Sequence, residues 1–458
     1  MNNASRRDFL KLSGGAVALS AASYGRVLGA GERIGIGFIG YGLIGKRHVG
    51  TFRHLANVDL LGVAEVHRGR REEGVSTAGR QAVGHADFRR LLDNKNIQAV
   101  IVATPDHWHA LLTMLSCAAG KDVYVEKPLT LFVREGEWMM QVAAKHRRIV
   151  QVGTQQRSGT HYQRARELIR GGRIGQVISV RMQSVRNVMP GFGRPADCDP
   201  PDGLDWNLWL GPAPERAYNP NRCLYHFRWF WDYSGGQVTN LAAHHLDIVD
   251  WILGLDSLRS VVSVGGRFAL EDNGETPDTQ DCLFALDRCN ASFMMRECSV
   301  GSPLAPYLEF YGTRGSLTLS RLGFRIYGDP DVPPANQVPG VREGRPAGGP
   351  RLVPARPGQT RTEPFEDRSG NSSAQYLAHA RNFLDCIRSR QTPISPLESA
   401  QRVSVACHLS NLSLRLGRRL GWDPKTKSVP GDAAANRMLA RPYRPPWDRE
   451  LRALGVTA

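Results

Sequence analysis

Gly40-Tyr41-Gly42-Leu43-Ile44-Gly45 follows the apolar run Ile34 to Ile39 and precedes a predicted helix, so it reads as G-x-G-x-x-G between a strand and a helix. The first glycine allows a tight turn, the second lets a pyrophosphate approach the backbone, and the third packs helix on strand, with phosphate facing free N–H groups. Glu65 ends a second apolar run, Val58 to Ala64, twenty residues beyond Gly45. An acid there binds a ribose 2′-hydroxyl and favours NAD; Arg68, Arg70 and Arg71 close behind could accommodate a 2′-phosphate, which keeps NADP open. Farther along, Lys127 stands at a predicted strand end in Glu126-Lys127-Pro128, where the proline holds it away from helical geometry. Its ammonium would reach the place of a nicotinamide, donate to a substrate hydroxyl, and have its pKa lowered by nearby positive charge and partial burial. Gln237 to Trp251 reads as a helix after the Gly235-Gly236 hinge. At about 100° per residue, Asn240 and His244 share a face, so His244 could accept a hydroxyl proton while Asn240 orients it.

Other candidates touch a substrate. Arg157 could hold sugar hydroxyls or a phosphate. Trp231 and Asp232, in Arg228-Trp229-Phe230-Trp231-Asp232-Tyr233, offer an aromatic face beside a carboxylate, which suits a sugar ring or, equally, a packed core. His245 is a further substrate candidate, although it and Asp247 also read as helix-packing groups. In Thr104-Pro105-Asp106-His107-Trp108-His109, one histidine is expected to face the cofactor, and Trp108 to stack near nicotinamide or cover the crevice.

The elements that must position these residues form two patterns. From Arg33 to about Val152 strands alternate with helices, which predicts a doubly wound parallel sheet with ligands outside the carboxyl ends of its strands. From Gln176 the predicted strands are longer and alternating: Val177 to Val185, Leu258 to Val264, Cys282 to Leu286, Ala291 to Cys298 and Tyr307 to Leu319. They predict an α+β domain with a large, mainly antiparallel sheet. The expected division is residues 1–30, a targeting segment; 31–153, a dinucleotide-binding domain; 154–425, a substrate and oligomerisation domain with an insert loop at about 329–369; and 426–458, an irregular surface tail.

Composition bounds the function. A hydrophobic share of 41% and an aromatic share of 8% belong to a folded globular chain. The formal charge of +16 comes from scattered arginines with no basic block of the kind that tracks nucleic acid. Eight cysteines show no C-x-x-C and no Cys/His metal spacing, so free buried thiols and no metal are expected. Ser5-Arg6-Arg7-Asp8-Phe9-Leu10-Lys11 precedes a short, mildly apolar Gly/Ala-rich segment and resembles a twin-arginine export signal. Export to the periplasm, with the twin-arginine machinery as partner and no stable membrane span in the mature chain, is the corresponding expectation.

The dinucleotide turn, Thr104-Pro105-Asp106-His107-Trp108-His109, Glu126-Lys127-Pro128 and Gly235-Gly236-Gln237-Val238-Thr239-Asn240-Leu241-Ala242-Ala243-His244-His245 stand in an order that resembles the glucose–fructose oxidoreductase / inositol dehydrogenase (Gfo/Idh/MocA) family. The resemblance implies a Rossmann domain followed by an α+β domain, a Lys127 acting at the reacting carbon, and, as in many similar proteins, a cis Lys-Pro bond. It favours His109 over His107 and adds Thr104, Pro105, His109, Glu126 and Lys127 to Gly40, Gly42, Leu43, Ile44, Gly45 and Glu65 as cofactor-binding residues. Similar proteins carry D-x-x-x-H where this chain has Asn240 and His244, and a neutral amide cannot stabilise imidazolium as a carboxylate does. The implied activity is NAD(P)-dependent hydride transfer at a hydroxyl-bearing carbon of a small sugar, polyol or glycoside, in a homodimer or homotetramer. Two alternatives are a redox-neutral NAD-dependent glycosidase, lyase or epimerase, and a non-catalytic cofactor-binding sensor.

Overall fold

The structure, a computed structural model, describes residues 33–301, 308–329 and 360–456. The expected export segment and most of the expected insert loop lie outside the described residues. Six parallel strands form the first sheet: β1 (Ile34–Ile39), β2 (Val58–Ala64), β3 (Val83–His85), β4 (Ala99–Val102), β5 (Asp122–Val125) and β6 (Val150–Val152), in the order β3-β2-β1-β4-β5-β6. β1, β4, β5 and β6 are buried along their whole length, and β1 and β4 accordingly read as continuous apolar runs. One face packs Phe38, Val49, Phe52 and Ile101 against Phe383 and Leu384; the other packs Val100, Leu111, Met114 and Val142 with Trp108 and Trp138. Strand order reverses between β1 and β4, so the crossovers leave on opposite faces and a crevice opens beyond the carboxyl ends.

The second sheet has nine strands: β7 (Val177–Val185), β8 (Leu258–Gly266), β9 (Thr279–Leu286), β10 (Asn290–Arg296), β11 (Leu308–Gly312), β12 (Gly315–Ser320), β13 (Gly323–Gly328), β14 (Phe365–Asp367) and β15 (Leu420–Gly421). Their order is β14-β13-β12-β11-β7-β10-β9-β8-β15, antiparallel except where β10 pairs with β7. Alternate residues such as Cys282, Phe284, Phe293 and Phe310 turn inward onto the helices Ala243–Leu253 and Leu397–Leu416. The expected single strand to Leu319 is instead the hairpin β11–β12, because the chain turns at Thr313-Arg314 between two glycines.

Two departures matter for function. The helix expected from Gln237 begins as a π turn, Val238–Ala242, before the α-helix Ala243–Leu253. The tail is no surface appendage: it forms the helices Ala433–Arg437 and Trp447–Ala453, and Tyr443, Trp447, Leu451 and Leu454 are buried in the core of the first sheet. Trp447 meets Trp108 edge-on at 4.8 Å, and Tyr443 donates to Glu135 at 2.7 Å. The apolar residues of this segment, diluted by Arg and Pro, read as irregular because their partners lie three hundred residues away. All eight cysteines are free and five are buried. Among the described residues no helix is long and apolar enough to cross a membrane, and no cluster of metal ligands occurs.

Candidate active site

After β1 the backbone turns at Gly40 with a φ of +91°, and a Cβ there would lie 2.7 Å from the Ala103 carbonyl oxygen. Only glycine meets both demands. At Gly45 a Cβ would stand 2.3 Å from the Gly40 carbonyl oxygen, so its absence lets the helix Leu43–Arg53 seat against the turn. Gly42 differs: a Cβ would find only the Arg70 guanidinium, 3.8 Å away, and no side chain caps the helix. Its first-turn N–H groups thus face open space that suits a phosphate. Leu43, 75% exposed, borders that space.

Glu65, at the end of β2, accepts the Tyr41 N–H at 2.8 Å and the His67 N–H at 2.9 Å, one on each oxygen. Each oxygen keeps lone-pair capacity for a ribose hydroxyl. Thr104, beyond β4, has a buried Oγ1 with no hydrogen-bond partner among the described residues. With Gly40, Gly42, Leu43, Ile44, Pro105 and Trp108 these residues line an open crevice. An orphaned hydroxyl, an uncapped helix N-terminus and a carboxylate at the ribose position fit a dinucleotide. Of the three arginines behind Glu65, Arg70 lines the crevice, while Arg71 donates to the Glu65 carbonyl at 2.8 Å and the Arg68 N–H to the Gly203 carbonyl at 2.8 Å.

Beyond β5 the Lys127–Pro128 bond is cis. The Lys127 ammonium donates to Asn240 Oδ1 at 2.8 Å and to the Asn240 carbonyl at 3.0 Å, leaving one N–H for a ligand. Burial, helped by the charges of Arg228 and Arg321 and opposed by Glu126, lowers the Lys127 pKa to about 8. His244 is buried, its Nδ1 has no partner among the described residues, and burial together with the Lys127 charge holds its pKa well below 6.5. It is a neutral imidazole. Asn240 lies in the π turn that leads into the helix carrying His244. Asn240 anchors Lys127, and its own amide donates to Gln237 at 3.0 Å rather than to His244.

Several expected contacts are structural instead. His109 places its ring nitrogens 2.6 Å from the Pro128 carbonyl and 2.9 Å from that of Thr104, tying two loops together outside the crevice lining. Neither histidine of that segment lines the crevice: His107 sits 3.0 Å from the Trp209 carbonyl, and burial pushes its pKa down to about 3. Glu126 lies beneath the site, 2.8 Å from His48 and accepting from Gln155 at 2.8 Å; burial would raise its pKa, but the His48 hydrogen bond and charge bring it below the usual value. Arg157 is buried among Asp247 at 2.8 Å, Asp250 at 3.6 Å and Ser399, too fully engaged to meet a substrate. Asp232 accepts from Arg216 at 2.9 Å and Arg441 at 3.1 Å. Trp231 lies under Arg415, away from the dinucleotide crevice. His245 bonds Ser184 at 3.2 Å against the sheet, and burial lowers its pKa to about 4.

What sequence reasoning missed is the far wall. Leu204, Leu208, Trp209, Leu224, Tyr225, Phe227 and Arg228 close over the crevice from the segment between β7 and the π turn. The Asp205 N–H reaches the Val66 carbonyl at 3.2 Å, and Trp108 and His107 both hold the Trp209 carbonyl. The aromatic density of residues 225–233 was the available signal, but alternation could not tell which rings face a ligand.

Comparison with known proteins agrees with this fold. Residues 34–154 match the family profile described as "Oxidoreductase family, NAD-binding Rossmann fold", and residues 189–268 and 371–449 match "Oxidoreductase family, C-terminal alpha/beta domain". Inositol 2-dehydrogenase 1 of Saccharopolyspora erythraea is 33% identical over 147 residues, covering 32% of this chain and 44% of that protein. A glycosyl hydrolase family 109 protein of Shewanella baltica is 31% identical over 164 residues, covering 30% and 36%. The chain thus spans less than half the length of these curated relatives. An NAD-binding oxidoreductase from Klebsiella pneumoniae shares the fold, with a TM-score of 0.64 at 17% identity over 85% of this chain and 99% of that one.

Proposed function

The chain belongs to the Gfo/Idh/MocA oxidoreductase family, and from that premise we propose an NAD-dependent enzyme that oxidises or reduces a hydroxyl-bearing carbon of a small carbohydrate or polyol. The observation that carries the reading is Lys127, anchored by two oxygens of Asn240 beside a buried neutral His244 near the dinucleotide crevice. When bound, the nicotinamide supplies the hydride acceptor or donor. Lys127 donates its remaining N–H to the substrate hydroxyl oxygen, and His244 takes the hydroxyl proton in the oxidative direction. Glu65 favours NAD; Arg70 at the crevice leaves NADP as the alternative. The test is to denature the purified protein, identify any released nucleotide, and screen the intact protein on sugars, polyols and glycosides. Lys127→Ala is expected to cut turnover by about 100-fold or more while nucleotide binding survives. Unchanged turnover would remove the assignment, and nucleotide binding without turnover of any substrate would favour a sensor.

A second reading is a redox-neutral glycosidase, lyase or epimerase that keeps its cofactor. The far wall favours it, because Gly203 and Asp205 bond the loop carrying Glu65 while Arg444 holds Asn207 and Gly211 from the buried tail. Turnover of a glycoside without added NAD supports this reading; stoichiometric release of NADH from added NAD rejects it. We further propose twin-arginine export to the periplasm from Arg6-Arg7, checked by the location of a full-length fusion and its retention in the cytoplasm when both arginines become lysine. Val264 and Leu283, exposed on β8 and β9, support assembly into a homodimer or homotetramer, which sedimentation would test.

A further inference from the structure

Several arginines that reach into this protein are paired with carboxylates: Arg157 with Asp247, Arg186 with Glu297, Arg267 with Asp272, Arg402 with Asp250 and Arg441 with Asp232. A desolvated cation is costly unless it is paired. Arg228 has no such partner among the described residues. It is partly buried in the wall of the dinucleotide crevice, its guanidinium 4.7 Å from the Tyr225 ring and 4.6 Å from the Phe227 ring. It donates one hydrogen bond, to the Tyr225 carbonyl at 3.0 Å, and makes no ion pair among the described residues. Four of its five N–H groups remain for a ligand.

The carboxylates whose charge reaches it are engaged elsewhere: Asp106 accepts from Ser234, and Glu126 is bound by His48, Gln155 and the Lys127 N–H. Lys127 adds a second positive charge on the same side. The pyrophosphate position already has the helix N–H groups and Arg70 beside Gly42. The unmatched charge therefore belongs with the substrate. We propose that Arg228 receives the carboxylate of an acidic sugar of the uronate type, whose hydroxyl is presented to Lys127; this rests on the dehydrogenase reading above. The planar fork of a guanidinium matches a carboxylate in bidentate fashion, and the flanking rings hold the fork in place.

The experiment titrates the NAD-loaded protein calorimetrically with D-glucuronate and with D-glucose, and measures hydride transfer for both. Glucuronate is expected to bind at least about 30-fold more tightly than glucose, the scale of losing one partner of a hydrogen-bonded charge pair. Arg228→Met should erase that preference, chiefly through KM, and Arg228→Lys, which keeps the charge without the fork, should restore part of it. Melting curves close to wild type establish that both variants fold. Equal binding of the two sugars by the wild type, or binding of neither, overturns the proposal. So does a loss of NAD affinity in Arg228→Met as large as the loss of glucuronate affinity, since Arg228 would then serve the pyrophosphate. A glucuronate preference lost in Arg228→Met without hydride transfer in the wild type supports the anion site and rejects the dehydrogenase reading instead.

Discussion

Lys127 is held by the carbonyl and the amide oxygen of Asn240, at 3.0 and 2.8 Å, and neither acceptor carries a charge. Burial outweighs the opposing charge of the neighbouring Glu126, and the Lys127 pKa falls to about 8. If the protonated lysine is the donor to substrate, kcat falls as pH rises through about 8. His244 adds a rising limb below 6.5, because burial and the Lys127 charge keep it neutral above that pH. Asn240→Asp places a negative charge at the ammonium and should move the alkaline limb upward by about one unit or more. A pH profile of kcat checks this, and a limb that stays near 8 would detach it from Lys127.

At the scale of elements, the strand–turn–helix uses its glycines for different purposes. A Cβ at Gly45 would stand 2.3 Å from a backbone carbonyl, so Gly45→Ala should destabilise the fold by about 1–3 kcal/mol. At Gly42 a Cβ would meet no protein atom closer than 3.8 Å, so Gly42→Ala should melt like the wild type yet bind NAD about tenfold or more weakly. Calorimetric melting together with NAD titration separates the two, and equal melting loss in both variants would contradict the distinction. Arg157 belongs to this scale as well. It clamps the helix Ala243–Leu253, through Asp247 and Asp250, to Ser399 on the helix Leu397–Leu416. Arg157→Met leaves Asp247 buried without its cation, while Asp250 keeps Arg402, and should cost about 3–5 kcal/mol in denaturant unfolding. A raised KM at full stability would return Arg157 to the substrate site.

Across the whole molecule, the first sheet, the segment after β7 and the C-terminal tail make one enclosure. Trp447 and Tyr443 root the tail in the core of the first sheet, and from there Arg444 donates to Asn207 Oδ1 at 2.9 Å, to its carbonyl at 3.0 Å and to that of Gly211 at 3.1 Å. The crevice wall is thus held from both ends. Arg444→Ala should speed nucleotide release by about tenfold, the effect of roughly 1.4 kcal/mol, with a small change in melting temperature. Stopped-flow displacement of bound NADH measures it; an unchanged release rate would mean that the wall does not retain the nucleotide.

The sequence by itself determined the local parts. Apolar runs ending in Gly40, Glu65, Thr104 and Lys127 mark strand ends of a parallel sheet, and the steric demands of G-x-G-x-x-G are met within a few residues, so both were legible without partners. Tertiary structure decided which charged and aromatic side chains face the ligand. Arg157, Asp232 and His109 have the right chemistry for a site, yet each is engaged by partners remote in sequence, Asp247, Arg441 and Pro128. Arg228 stands in an aromatic run whose spacing assigns it no role, yet it carries a charge in the crevice wall with no ion pair among the described residues. The π turn that gives Asn240 to Lys127 is likewise a product of packing, since no residue spacing announces it.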